Sequence, residues 1–238
     1  MNIQNQTILI TGGTSGIGKA LALSLKEKNT VIVTGRSEAR LEEARKNGLI
    51  TIQADLTKRE DLDQLVMTIE QQYPQLNVLI NNAGIQYNYH MLRESDTFQR
   101  IQQEIQVNLT GTIQLTQLLL PVLCSKPSQI LNVSSALGVV PKSDGIVYSA
   151  SKAGLRNFTR GLRKILKEQP VQVIEVIPPV TDTRMTAGRD EEKMPVEELV
   201  LLILKQWSKG KTLIAPGKIK LLMTINRWWP SLADSFIK

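Results

Sequence analysis

The 238-residue chain holds a single cysteine, Cys124, and a single histidine, His90. One thiol excludes an internal disulfide. One imidazole argues against a Ser-His-Asp hydrolase, and the two residues together supply too few ligands for a zinc site, so no metal is expected. No stretch reaches the ~18 uncharged apolar residues that a bilayer-spanning helix needs. The start Met1-Asn2-Ile3-Gln4 lacks the basic and apolar regions of a signal peptide. From these absences we expect a cytoplasmic protein. No repeat, low-complexity tract or interdomain linker interrupts the chain. The net charge of +7 leaves binding to acidic surfaces open. The basic residues are scattered, however, and no nucleic-acid-binding motif is present, so a nucleic-acid partner is not expected.

What is there is regular. Apolar, β-branched runs read as strands at Thr7–Thr11, Val31–Thr34, Leu49–Gln53, Val78–Asn81, Gln129–Ser134, Val171–Ile177 and Thr212–Ala215. Helical periodicity marks Lys19–Lys28, Ala39–Lys46, Arg59–Gln72, Phe98–Leu123, Tyr148–Lys167 and Val196–Ser208. Near-continuous apolar strands alternating with helices predict a parallel sheet covered on both faces. With 42% hydrophobic residues there is enough for a large core, and one doubly wound α/β domain over residues 1–238 is expected.

Two local patterns carry chemistry. After the first strand comes Gly12-Gly13-Thr14-Ser15-Gly16-Ile17-Gly18, leading into a helix. Strand, glycine-rich turn and helix let backbone N–H groups and a helix N-terminus approach a pyrophosphate; a glycine-rich turn alone is often only a tight turn. The second pattern is Tyr148-Ser149-Ala150-Ser151-Lys152, with Ser135 upstream at the end of a strand. A Tyr and a Lys four apart share a helix face, so the ammonium can favour ionisation of a phenol that ordinarily titrates near pH ~10. Such a pair also occurs on helices that it merely supports.

With Asn81-Asn82-Ala83-Gly84 between them, these motifs resemble the short-chain dehydrogenases/reductases from Asn5 to Thr183. Gly35 to Leu41, Asn81 to Gln86 and Pro178 to Thr183 look most like the bacterial subgroup related to the oxidoreductase of the lipoteichoic-acid D-alanylation operon. The resemblance implies a Rossmann-like domain, with a largely parallel sheet of about seven strands. It also implies hydride transfer between a nicotinamide cofactor and a carbonyl or alcohol substrate. Tyr148 would be the general acid in reduction and the base in oxidation. Lys152 would lower the tyrosine pKa and hold the nicotinamide ribose, and Ser135 would polarise the carbonyl. Asn108 would hold a water joining Lys152 to solvent, where otherwise it would be a locally bonded helix residue. Ser134 reads as a structural strand residue.

The cofactor site would comprise Gly12, Thr14, Ser15, Gly16, Ile17 and Gly18, then Arg36 and Ser37, Asp55 and Leu56, and Asn82, Ala83 and Gly84. Tyr148, Lys152, Val180, Thr181 and Thr183 complete it. A carboxylate after the second strand would repel a 2′-phosphate; Arg36 stands there instead, and a guanidinium matches phosphate with paired hydrogen bonds. NADP(H) is therefore expected over NAD(H), the bland reading being a solvated arginine. Two residues depart from the family pattern: Ser15 where many NADP-dependent relatives have a second basic residue, and Pro179 where a glycine is usual. Asp55 would contact the adenine or act as an N-cap for the next helix.

Residues 184–195 sit where relatives carry a substrate lid. Tyr87, Tyr89 and His90 either line the substrate pocket or are exposed loop residues. Residues 217–238 space Ile219, Leu222, Ile225, Trp229, Leu232 and Phe236 as an amphipathic segment among Lys218, Lys220, Arg227 and Lys238, interrupted at Pro230. This segment packs on its own domain, closes the cleft or meets a membrane surface. A homo-oligomer through the two long helices is expected. A redox-inactive NADP(H)-binding sensor or scaffold, or a basic surface-binding protein, is the alternative to an enzyme.

Overall fold

The computed structural model describes residues 3–94 and 97–237. Met1, Asn2 and Lys238, named above at the chain ends, lie outside the described residues. Seven strands form one sheet: β1 (Thr7–Thr11), β2 (Thr30–Gly35), β3 (Ile50–Gln53), β4 (Val78–Asn81), β5 (Ser128–Val133), β6 (Val171–Val176) and β7 (Leu213–Ile214). Their order is β3-β2-β1-β4-β5-β6-β7, and every pairing is parallel. The chain runs outward from β1 to β3, then returns to place β4 on the other side of β1. That reversal opens a crevice beyond the C-terminal ends of β1 and β4, where doubly wound sheets bind ligands.

Because β1 and β4 are buried on both faces, their side chains feed two cores. On one face Ile8, Ile10, Val33 and Ile80 meet α1 (Gly16–Leu25) and α7 (Val196–Ser208) through Leu21, Leu199, Ile203 and Trp207. On the other, Leu9, Ile32, Leu79 and Ile130 meet Leu62, Leu115, Leu119 and Leu162. Those come from α3 (Arg59–Gln72), α5 (Gly111–Cys124) and α6 (Ile146–Ile165). The remaining helices are α2 (Glu38–Lys46), α4 (Phe98–Ile105), α8 (Gly217–Trp228) and α9 (Pro230–Asp234).

Three differences from the sequence expectations bear on the site. The long helix from Phe98 is not one α-helix: Gln106–Thr110 forms a π-turn between α4 and α5. The span Phe98–Cys124 also has the length and composition of a membrane-crossing helix, which the apolar-run criterion did not pick out, yet its Leu115, Leu119 and Leu123 are fully buried in the core. The first helix begins at Gly16 rather than Lys19, so the last glycines of the turn are already helical.

Candidate active site

The turn after β1 is shaped by close contacts that leave no space for side chains. Gly12 adopts φ +64°, and a Cβ there would come 2.9 Å from Ala83 Cα. A Cβ on Gly18 would come 2.4 Å from Asn82 Nδ2. Asn82 in turn donates to the carbonyls of Thr11 (3.0 Å) and Gly12 (3.3 Å), while Thr11 Oγ1 accepts from the N–H groups of Asn82 and Ala83. The β1 and β4 loops are thus laced together, and α1 presents its N-terminus to the crevice with no acidic residue in its first turn. A dinucleotide's pyrophosphate fits such a free positive helix end.

The crevice is a cleft of about 710 Å³. Gly12, Thr14, Ser15, Gly16, Ile17, Arg36, Ser37, Asp55, Leu56, Asn82, Ala83 and Gly84 line it, as do Ser135, Tyr148, Lys152, Val180, Thr181 and Thr183. Gly18 and Asn108 stand behind the lining. Side chains that sequence reasoning missed include Arg40, Gln86, Arg189 and Ile237. Arg40 was within reach, since it lies in the first turn of α2, close in sequence to Arg36; Arg189 and Ile237 are brought in only by long-range folding.

At the β2 end, Arg36 is exposed, and its Nη1 lies 3.8 Å from Asp55 Oδ2. Arg40 is half-buried beside it, supplying a second cation where the turn supplies only Ser15. Asp55 is not the N-cap of α3: that place belongs to Lys58, which makes no side-chain capping bond. Asp55 instead accepts from Thr57 N (3.0 Å) and Thr57 Oγ1 (2.9 Å), a tight turn ahead of the helix.

At the opposite end, Ser135 follows β5 and begins a short 3₁₀ turn, its Oγ accepting from Leu137 N at 3.1 Å. With that lone pair engaged, the hydroxyl proton is free to point elsewhere. Ser134 is buried and bonds Glu175 Oε1 and the Val176 carbonyl, as a structural residue would, although it borders the cleft. Tyr148 and Lys152 occupy the first turns of α6, 8% and 3% exposed. Lys152 Nζ donates to the Val133 carbonyl at 2.9 Å and lies 5.7 Å from the Tyr148 ring centre.

The sequence led us to expect a more acidic phenol, and the structure gives the reverse. Burial raises the Tyr148 pKa above its ordinary value; the Ser135 hydroxyl and the Arg189 charge oppose the shift, and Glu104 reinforces it. The same desolvation brings Lys152 down to about 8. Burial disfavours charge on both groups.

Asn108, fully buried in the π-turn, is not bonded locally. Its Oδ1 accepts from Ile85 N and its Nδ2 donates to Ile85 O, both at 2.8 Å, and Nδ2 also reaches Ser151 Oγ at 3.1 Å. Asn108 Oδ1 and Lys152 Nζ lie 3.3 Å and 3.5 Å from where a Cβ on Gly84 would stand, so both border the space beside that glycine. Tyr87 and Tyr89 do not line the cleft. Tyr89 is buried, and Tyr87 N donates to Glu104 Oε1 at 2.9 Å. His90 also lies away from it, its Nδ1 accepting from Leu92 N.

Residues 184–195 are pinned at their base, where Thr181 bridges to Met194, Asp182 N donates to the Met194 carbonyl and Met194 N to that of Val180. Pro179 removes one N–H from this strand end, but Val180, Thr181 and Thr183 still face the cleft. The C-terminal segment packs back on the domain through Ile219, Leu222 and Ala233, and Ile237 reaches the cleft.

Residues 6–194 match the family model of the short chain dehydrogenases. The chain is 36% identical over 237 residues to the uncharacterised oxidoreductase DltE of Bacillus subtilis, covering 95% of this chain and 94% of that protein. It superposes with TM-score 0.89 and 25% identity on a short chain dehydrogenase from Burkholderia cenocepacia in complex with NADP, covering 100% and 99% of the two chains. A short-chain dehydrogenase from Sphingobium yanoikuyae in complex with NADPH gives TM-score 0.80 and 27% identity, with 97% and 93% covered. A Burkholderia phymatum short chain dehydrogenase/reductase in complex with NAD, 16% identical at TM-score 0.86 over 98% and 96%, shares the fold.

Proposed function

Because the chain belongs to the short chain dehydrogenase family, we propose that it is an oxidoreductase transferring a hydride between NADP(H) and a carbonyl or alcohol substrate. The observation that carries this is the gathering of Ser135, Tyr148 and Lys152 at one end of a cleft whose other end holds Arg36 and Arg40. A bound nicotinamide supplies the hydride; the protein's part is position and proton transfer. Ser135, its oxygen already engaged by Leu137 N, donates its proton to the substrate oxygen. Tyr148 gives that oxygen a proton in reduction and removes it in oxidation. Lys152 keeps a positive charge beside the phenol, and Asn108, which borders the same space beside Gly84, holds a water that joins Lys152 to solvent.

The cofactor preference follows from two cations against one carboxylate at the β2 end: Arg36 and Arg40 outweigh Asp55 for a 2′-phosphate. The test is NADPH consumption across aldehydes, ketones and keto sugars, with NADH in parallel. NADPH should give kcat/KM roughly tenfold or more above NADH, as charge-assisted hydrogen bonds to phosphate warrant. Y148F should lower kcat by roughly a hundredfold or more; retention of most activity would remove the acid/base assignment. Binding of NADPH without turnover of any carbonyl would point to a sensor instead. Pairing of two copies through α4, α5 and α6 completes the proposal, and light scattering decides it; the C-terminal segment, packed through Ile219, Leu222 and Ala233, closes the cleft rather than meeting a membrane, and liposome flotation should find no binding.

A further inference from the structure

The cleft keeps its charges in two places. At the β2 end Arg36 and Arg40 share it with Asp55, the only carboxylate among the described lining residues. Residues 184–195 add Arg184 and Arg189 to the lining and no acidic side chain. Residues 184–195 are not short of acids, since Asp190, Glu191 and Glu192 lie among them and Asp182 just before them. They are turned away. Glu191 pairs with Lys142 ahead of α6, Glu192 lies 3.3 Å from Lys218 on α8, and Asp182 and Asp190 are exposed outside the cleft.

Arg189 is left over by this arrangement. It is half-buried, its Nη2 makes only a long bond to the Met185 carbonyl (3.4 Å) among the described residues, and no carboxylate among them pairs with it. It stands near enough to Tyr148 for its charge to act on the phenol. Glu104, whose charge also acts on the tyrosine, is fully buried, does not line the cleft, and has its pKa pushed up by burial. A guanidinium lining a cavity with no carboxylate beside it has donors available to a ligand, and a carboxylate or phosphate matches their geometry. Leu137, Met185 and Ile237 line the same end and suit a short apolar stretch between charge and carbonyl.

We propose that the substrate is a carbonyl compound bearing a carboxylate or phosphate group, held by Arg189 while its carbonyl oxygen faces Tyr148 and Ser135. This rests on the oxidoreductase reading above. In reduction a hydride leaves the reduced nicotinamide for the carbonyl carbon. The C=O π pair takes the phenolic proton of Tyr148, and solvent returns a proton to the tyrosine. The products are a hydroxy acid or hydroxy phosphate and the oxidised cofactor.

The probes are keto acids from pyruvate to oxoheptanoate against their methyl esters, and dihydroxyacetone phosphate against dihydroxyacetone, which separate carboxylate from phosphate. At least one anionic member should exceed its neutral partner in kcat/KM by roughly tenfold or more. R189Q should lower kcat/KM for that anion by roughly 10- to 100-fold and for the neutral partner far less, with R189K restoring part of the loss. Equal rates for charged and neutral partners overturn the proposal. So does an R189Q variant that loses both alike, or whose defect is a raised KM for NADPH, which would assign the guanidinium to the cofactor. If no carbonyl is turned over, the oxidoreductase reading fails, and the anion site is judged separately by titrating the fluorescence of bound NADPH with levulinate and dihydroxyacetone phosphate. R189Q should then need roughly tenfold more of whichever binds, and equal affinities, or no response to either, overturn the proposal.

Discussion

Desolvation acts on Tyr148 and Lys152 in the same direction, towards the uncharged forms, and this sets the pH range in which the pair can work. For Lys152 the folded value is about 8 against an ordinary 10.5. Between those values the unfolded chain binds the extra proton, so this residue's contribution makes stability rise with pH across that window. In the proposed reduction its effect has the opposite sense, because that step draws on a charged ammonium beside a protonated phenol. We expect kcat/KM for carbonyl reduction to fall as pH rises through about 8, read from a pH profile at saturating cofactor. A profile flat up to the phenol's own titration would remove Lys152 from the reaction. At this scale the sequence was legible wherever the site is written in contiguous motifs: Gly12 to Gly18, Asn82 to Gly84 and Tyr148 to Lys152 all meet at the crevice. The direction of the tyrosine shift was not, because spacing along a helix reports proximity and says nothing of burial.

The π-turn at Gln106–Thr110 shows what a periodicity argument misses at the scale of an element. The apolar repeat from Phe98 to Leu123 predicts a continuous helix, and the extra residue in the turn is visible only once Asn108 is drawn onto Ile85. Such turns often mark functional sites in helices. One turn earlier on the same run, Glu104 looks like an ordinary solvated acid in the sequence, yet it is fully buried, with Oε1 accepting from Tyr87 N and Oε2 lacking a partner among the described residues. Burial raises its pKa above the ordinary 4.5. Stability from this group is therefore complete below about pH 4.5 and is lost as pH rises through the folded value. Glutamine keeps the acceptor for Tyr87 and removes the charge. The melting temperature of E104Q relative to the natural chain should climb as pH increases from about 4.5, as followed by calorimetry. A difference independent of pH would show that Glu104 carries no such penalty.

For the whole molecule, the C-terminal segment joins stability to the cleft. Its helical spacing was legible and the break at Pro230 was too, since α8 ends at Trp228 and α9 begins with that proline. Which side chains it buries was not, because an amphipathic stripe does not name its partner. Ile219, Leu222 and Ala233 are buried, whereas Leu221, Trp228, Trp229, Leu232 and Phe236 stay exposed. Leu222 and Ala233 pack with Val140, with Ile225 and Ile237 against them, and Asn226 Nδ2 donates to the Val139 carbonyl. Val139 and Val140 lie shortly before α6, and Ile237 lines the cleft, so one small cluster holds both the segment and the wall it forms. Leu222→Ala should cost about 2 kcal/mol, near the lower end for a buried leucine because it lies at the cluster's edge. In a chain of this length that lowers Tm by roughly 4–8 °C. The same change should raise KM for the substrate more than it lowers kcat, since Ile237 loses its backing while Tyr148 and Lys152 keep theirs. A segment that were only a surface tail would leave both Tm and KM where they are in the natural chain.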